Sequence, residues 1–155
     1  MSELTKNFNL LSPTGFRVTI ESPRFANFEY FLTSVNLPTV TLPGVESTYR
    51  NFQGFVTGDK LDYDEIAAEF AIDEDMKNYE ELYEWLKDNA KDPTLHRHDI
   101  ILSILSSHNN VNRQFRFVNA MPISIEGVEF STQNTDIQYL KSRVTLRYDY
   151  FTIIK

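Results

Sequence analysis

KSRVTLRYDYFTII, residues 141–154, decides the fold class. Val144, Leu146, Tyr148 and Tyr150 fall on one side of an extended chain, and Arg143, Thr145, Arg147 and Asp149 on the other. Alternation with a period of two belongs to a strand that buries one face and wets the other. On a helix the same apolar residues would be scattered around the circumference.

Working outward, the pattern repeats. GFRVTIE (15–21) alternates Phe16, Val18 and Ile20 with Arg17 and Thr19 before Ser22-Pro23 breaks it. FEYFLTSVN (28–36) predicts a second strand, with Phe28, Tyr30, Leu32 and Ser34 on one side. EIAAEFAI (65–72) is short and ambiguous in period, and its flanks favour a strand. HDIILSILS (98–106) runs into a turn at Ser107–Asn110, and RQFRFVN (113–119) follows. Ala120-Met121-Pro122 reads as an interruption before ISIEGVEF (123–130), and residues 131–138 read as polar loop.

One segment has helical spacing. Tyr79, Leu82, Tyr83 and Leu86 lie at i, i+3, i+4 and i+7, with Trp85 bordering the stripe. Asn78 followed by Glu81 resembles a capping box, and Pro93 closes the segment. The expected fold is therefore mainly β: an antiparallel β-sandwich or partly closed barrel of about seven strands with one flanking α-helix. The 155 residues suit a single domain, with an N-terminal extension at 1–14, a protruding arm at 43–57 and the helix at 77–89. No repeat of 20–50 residues is visible.

Composition narrows the function. Twelve Phe and eight Tyr suit a pleated, half-buried surface. The absence of cysteine excludes disulfides, thiol catalysis and cysteine-held metals. The start, MSELTKNFNLLSPTG, lacks a basic and apolar leader pattern, and no apolar run reaches a membrane span, so folding in a cytoplasm without a membrane is expected. Residues 59–92 hold 13 acids and 4 bases, which accounts for the whole excess behind the net charge of −7. Such a surface has no basic stripe for gripping phosphate.

Chemistry is hard to find. His96 and His98 share a strand face, but a metal pair needs further ligands, and only Asp99 and His108 are candidates. Asp73-Glu74-Asp75 with Glu84 invites a calcium loop, yet Lys77 and Asn78 stand where an oxygen ligand and a glycine are required. There is no nucleophile elbow, and the five glycines are scattered. Asp62 and Asp64 lie in the most acidic stretch, where a solvated surface accounts for them. No catalytic residue, metal site or cofactor is expected.

The arm carries more. Val45, Tyr49, Phe52 and Phe55 have no obvious core to join, so they are candidate contacts with a neighbouring subunit or another partner. Phe16 and Val18, with Val144 and Leu146, mark strands expected at sheet edges, where they would pair with a neighbouring subunit. The acidic segment is either a solvated face or a patch that meets a basic partner.

The order of elements resembles contractile phage tail tube and baseplate tube-initiator proteins. VTGDKLDYDEIAAEFAIDEDMKNYEELYEWLKDN (56–89) is similar to the centre of that family: Gly58-Asp59 before a strand, acids at 73–75, Asn78-Tyr79, then a helix with Trp85. DIILSILSSHNN, RFVNAMPISIEGVEF with its Pro122-Ile123-Ser124, RVTLRYDYFTI, GFRVTI and SVNLP (34–38) fit the same order. The resemblance implies a non-enzymatic virion protein of the tail. It implies a self-partnering hexameric ring, stacked rings joined through the arm residues Val45, Tyr49, Phe52 and Phe55, contacts with tail sheath or baseplate hub proteins, and DNA passing through the lumen without specific binding. It also implies a helix towards the outside and part of the acidic segment away from the channel. Asn78-Tyr79 with Trp85, and Pro122-Ile123-Ser124, lean towards the initiators. The inner tube or adaptor of a phage-derived contractile injection system is the alternative, and a monomeric β-sandwich binding module using the arm is another.

Overall fold

The computed structural model describes residues 5–136 and 138–155; residues 1–4 of the expected extension and Ile137 of the polar loop lie outside the described residues. In chain order the strands are β1 (Phe16–Ile20), β2 (Leu32–Val35), β3 (Val40–Thr41), β4 (Gly44–Thr48), β5 (Gln53–Thr57), β6 (Asp62–Tyr63), β7 (Ile66–Ala71), β8 (His98–Leu105), β9 (Val111–Ile125), β10 (Lys141–Arg147) and β11 (Tyr150–Ile153). Among the described residues two α-helices, α1 (Ala26–Tyr30) and α2 (Lys77–Lys91), and a 3-10 turn at Pro23–Phe25 complete the fold. Seven strands form one antiparallel sheet in the order β1-β8-β9-β10-β7-β2, with β11 also on β9. β3 with β6, and β4 with β5, make separate two-stranded ribbons.

The 15-residue β9 is the spine. Its first half pairs with β8 and β11, and its second half pairs with β10. Between the halves the register slips: His98 faces Ala120, but Ile100 faces Phe117, which places one extra residue on β9. Asn119 absorbs it with φ 54°, a left-handed conformation that Asn tolerates. Its backbone N–H donates to Asp99 Oδ1 at 3.0 Å and its amide to Asp149 Oδ2 at 2.8 Å. Bulging sharpens the local bend, and here it turns the sheet towards closure around one core.

That core is aromatic at its centre. Phe25, Phe28, Phe70, Trp85 and Phe117 are buried, with Val18, Ile20, Ile66, Leu102, Val144 and Leu146 around them. Trp85 lies tilted against Phe25 with ring centres 4.5 Å apart, and Phe28 meets Phe70 edge-on at 5.4 Å. Burying an aromatic side chain of this size contributes about 3 kcal/mol.

Four expectations need correction. Residues 28–36 are not one strand: Ala26–Tyr30 is helical and the strand begins at Leu32. Phe25 and Phe28, three apart, both turn into the core, and Glu81 Oε2 accepts the Phe28 N–H at 3.2 Å; Tyr30, which completes the apparent alternation, is exposed. Asn78 is not the cap of α2. It lies inside the helix and is buried, its amide donating to the Ala71 carbonyl at 2.6 Å, while Met76 caps with φ 54°. Trp85 is the centre of the buried stripe rather than its border: Asn78, Leu82, Trp85 and Asn89 face inward and Tyr83 is exposed. Ala120-Met121-Pro122 does not break the chain, for β9 continues to Ile125.

The expected alternation of 141–154 is also cut. Asp149 separates β10 from β11, its N–H bonding the Val118 carbonyl at 3.0 Å. Past this point Phe151 takes the inward position, in the aromatic cluster with Phe117 at 5.3 Å, and Tyr150 is exposed.

Candidate assembly surfaces

The arm is a true hairpin. β4 and β5 pair from Gly44 opposite Thr57 to Thr48 opposite Gln53, and the Tyr49 N–H closes the turn on the Phe52 carbonyl at 2.9 Å. At its base the Gly58 N–H bonds the Pro43 carbonyl at 2.7 Å. No core covers it: Val45 is 71% exposed, Phe52 66% and Phe55 63%.

Register divides these side chains between two faces. Directly opposed residues share a face, so Val45 lies with Val56, and Ser47 with Gly54. Tyr49 folds over Gly54, where a Cβ would stand 2.5 Å from its ring, and Phe52 stacks on Tyr49 at 4.8 Å. Phe55 is on the other face, lying over Gly44, where a Cβ would clash at 2.1 Å. Three of the four expected residues therefore form one patch and Phe55 a second. Val56, hidden in a stretch without firm period, was missed; its pairing with Val45 becomes visible only through the register.

The expected edge residues divide as well. β1 is a terminal strand of the sheet, with Phe16 half-buried and Val18 buried against the core. β10 is not an edge. It is bonded to β7 on one side and β9 on the other, and Val144 and Leu146 are buried core residues without access to a neighbour. β10 is central because both its edges are used; β2 is the other end of the sheet.

Charge is arranged in clusters. On the outer face of β1, β8 and β9, Arg116 pairs with Asp99 at 2.7 Å and Glu21 at 3.1 Å. Burial pushes the Asp99 carboxyl up, but the Asn119 N–H and the Arg116 guanidinium outweigh it and hold Asp99 below its usual value. On β10 and β7, Lys141 and Arg143 flank Glu69. The acids of the central segment stay on the surface: Asp59, Asp62, Asp64, Glu65, Glu74, Asp75 and Glu80 are exposed.

His98 is spent on packing, edge-on to Phe25 and tilted against Trp85, each at 5.6 Å. Burial lowers its basicity, and the positive charge of Arg24 adds to this. His96 gives its carbonyl to the Trp85 N–H, and His108 sits in the Ser106–Asn110 turn. Among the described residues no group of three or more His, Asp or Glu side chains is placed to hold a metal ion, and no helix is long and apolar enough to cross a membrane.

Residues 13–152 match the family model of the T4-like virus tail tube protein gp19. The chain belongs to this family. It is a family of structural proteins of the viral tail, not of enzymes. Across 98% of its length the chain is similar to the tail tube terminator protein of Enterobacteria phage T4, 23% identical and covering 93% of that protein. The fold is shared with chains of two cryo-EM structures. One comes from the 6-fold symmetrised baseplate of the anti-feeding prophage (TM-score 0.71, 12% identity, 99% of this chain and 97% of that one). The other comes from the sheath/tube terminator of the PVC extracellular contractile injection system (TM-score 0.69, 15% identity, 97% and 100%). A terminator was not among the positions weighed from the sequence, which leaned towards the baseplate end.

Proposed function

We propose that this chain forms a closed ring at an end of a contractile tail tube, in the manner of a tube terminator. The observation that carries the reading is the arm. It is a folded hairpin with apolar side chains on both faces, Val45, Val56, Tyr49 and Phe52 on one and Phe55 on the other, and nothing among the described residues covers them. Exposed aromatic residues grouped in this way anchor interfaces. The similarity to the phage T4 terminator, end to end, supports placing the ring at a tube terminus.

In this reading the subunits assemble as a hexamer in the host cytoplasm and become part of the virion tail. The arm bridges to the adjacent ring of the tube, and β1 (Phe16, Val18) joins neighbours within the ring. The acidic surface of residues 59–80 and α2 faces sheath or baseplate proteins. DNA passes the lumen without specific binding, consistent with charges on the sheet that are paired rather than gathered into a basic stripe. Structural likeness to the anti-feeding prophage and PVC assemblies supports a second setting, an injection device without a genome.

Copy number tests the position. Quantitative mass spectrometry of purified tails should find this chain at one ring's worth per tail, far below the main tube subunit. A copy number that scales with tail length makes it the tube subunit itself, and absence from tails removes the reading.

A further inference from the structure

β1 and β2 end the sheet from opposite directions and are not bonded to each other. They nevertheless border one groove: Gly15, Phe16, Leu102 and Ile104 line it from one side, Thr33 and Val35 from the other. The barrel is therefore open along a seam. Its β1 wall has a readable polarity. The Leu105 N–H bonds the Gly15 carbonyl at 2.8 Å and the Glu21 N–H bonds the Asp99 carbonyl at 3.0 Å, so odd-numbered residues of β1 face β8. Residues 16, 18 and 20 then point their backbone groups into the seam. The Ile20 N–H is taken by Glu29 Oε1 at 2.6 Å, which seals that end. Phe16 and Val18 have no backbone partner there among the described residues. What remains is a slot for a strand of about five residues, apolar at its floor and bordered at its Gly15 end by the chain's own Leu11, Ser12 and Pro13.

The chain contains a segment of that length and pattern that pairs with no strand among the described residues. In Asn7-Phe8-Asn9-Leu10-Leu11, Phe8 and Leu10 alternate with Asn7 and Asn9, and Phe8 is 77% and Leu10 97% exposed. In its own subunit Asn7, Asn9 and Leu10 run past Leu105, Ser106 and Asn112, and of this segment Leu11 alone reaches the mouth of the seam, beside Ser12 and Pro13. Resting on the ring-forming reading, we propose that residues 7–11 of one subunit fill the β1–β2 seam of a second copy, completing its barrel with Phe8 and Leu10 turned onto Leu102, Ile104 and Val35. The exchange joins two different surfaces, so it is heterologous and propagates around a ring until it closes.

The absence of cysteine makes the test clean. Labelled peptide of residues 5–12 is titrated into the full chain carrying Phe8→Asp and Leu10→Asp, substitutions at exposed positions. Saturable binding is expected, at least tenfold weaker for a peptide with the same two substitutions; no saturable binding, or equal binding of both peptides, overturns the proposal. Under oxidation, a mixture of Asn9→Cys chains and Arg17→Cys chains should give a dimer that neither gives alone, and failure to do so contradicts the exchange. Electron microscopy separates this from the ring itself. Rings formed undiminished by the Phe8→Asp/Leu10→Asp chain would overturn the strand exchange and leave the ring reading intact. Peptide binding by a native chain that never forms rings would support the seam site and count against the ring.

Discussion

Replacing Trp85 by alanine removes the side chain on which Phe25 and His98 rest and frees the His96 carbonyl from its donor. Cavity formation at a buried tryptophan costs about 3–5 kcal/mol, which urea unfolding would read as a lowered midpoint at unchanged slope. Trp85→Phe keeps most of the packing but not the N–H, and should cost less than Trp85→Ala. His98 adds a pH dependence. Because burial depresses its pKa below the ordinary 6.5, the folded chain binds fewer protons than the unfolded one in the window under that value. Stability contributed by neutral His98 is therefore complete above about 6.5 and lost as pH falls through the folded-state pKa. The stability difference between wild type and His98→Phe should change across this window; parallel profiles would contradict the assignment.

Individual elements show what the sequence could and could not reveal. β1 was legible because it alternates, β7 only because its flanks favoured a strand over a helix, and the hairpin arm because its aromatics lacked a core. α1 was hidden because Phe28, Tyr30 and Leu32 alternate by accident, and the decisive contacts, Glu81 with Phe28 and Phe25 with Trp85, are distant in sequence. The position of β10 was unreadable for another reason: strand order depends on pairing across the whole chain, whereas an alternating run looks the same at an edge and at a centre. The arm gives the element-scale prediction. Tyr49→Ser with Phe52→Ser removes exposed apolar surface, so the folded core should keep its stability to within about 0.5 kcal/mol while ring stacking is lost. Hydrogen exchange on a lone subunit should find residues 44–57 much less protected than β8 and β9; equal protection would mean that the arm is held by its own domain.

At the scale of the whole molecule, the proposed reading makes this a subunit completed by its neighbours. A sheet bent at Asn119 nearly closes but leaves a seam, the hairpin stands away from the core, and several apolar side chains at the N-terminal segment and arm face solvent. Assembly would cover these surfaces, and the acids of residues 59–80 would remain on the outside for other tail components. Cryo-EM reconstruction of intact tails tests this most directly. The account predicts this fold in a closed ring coaxial with the tube, its arm against the next ring; tails without the chain, together with a purified protein that stays monomeric at every concentration, would contradict it.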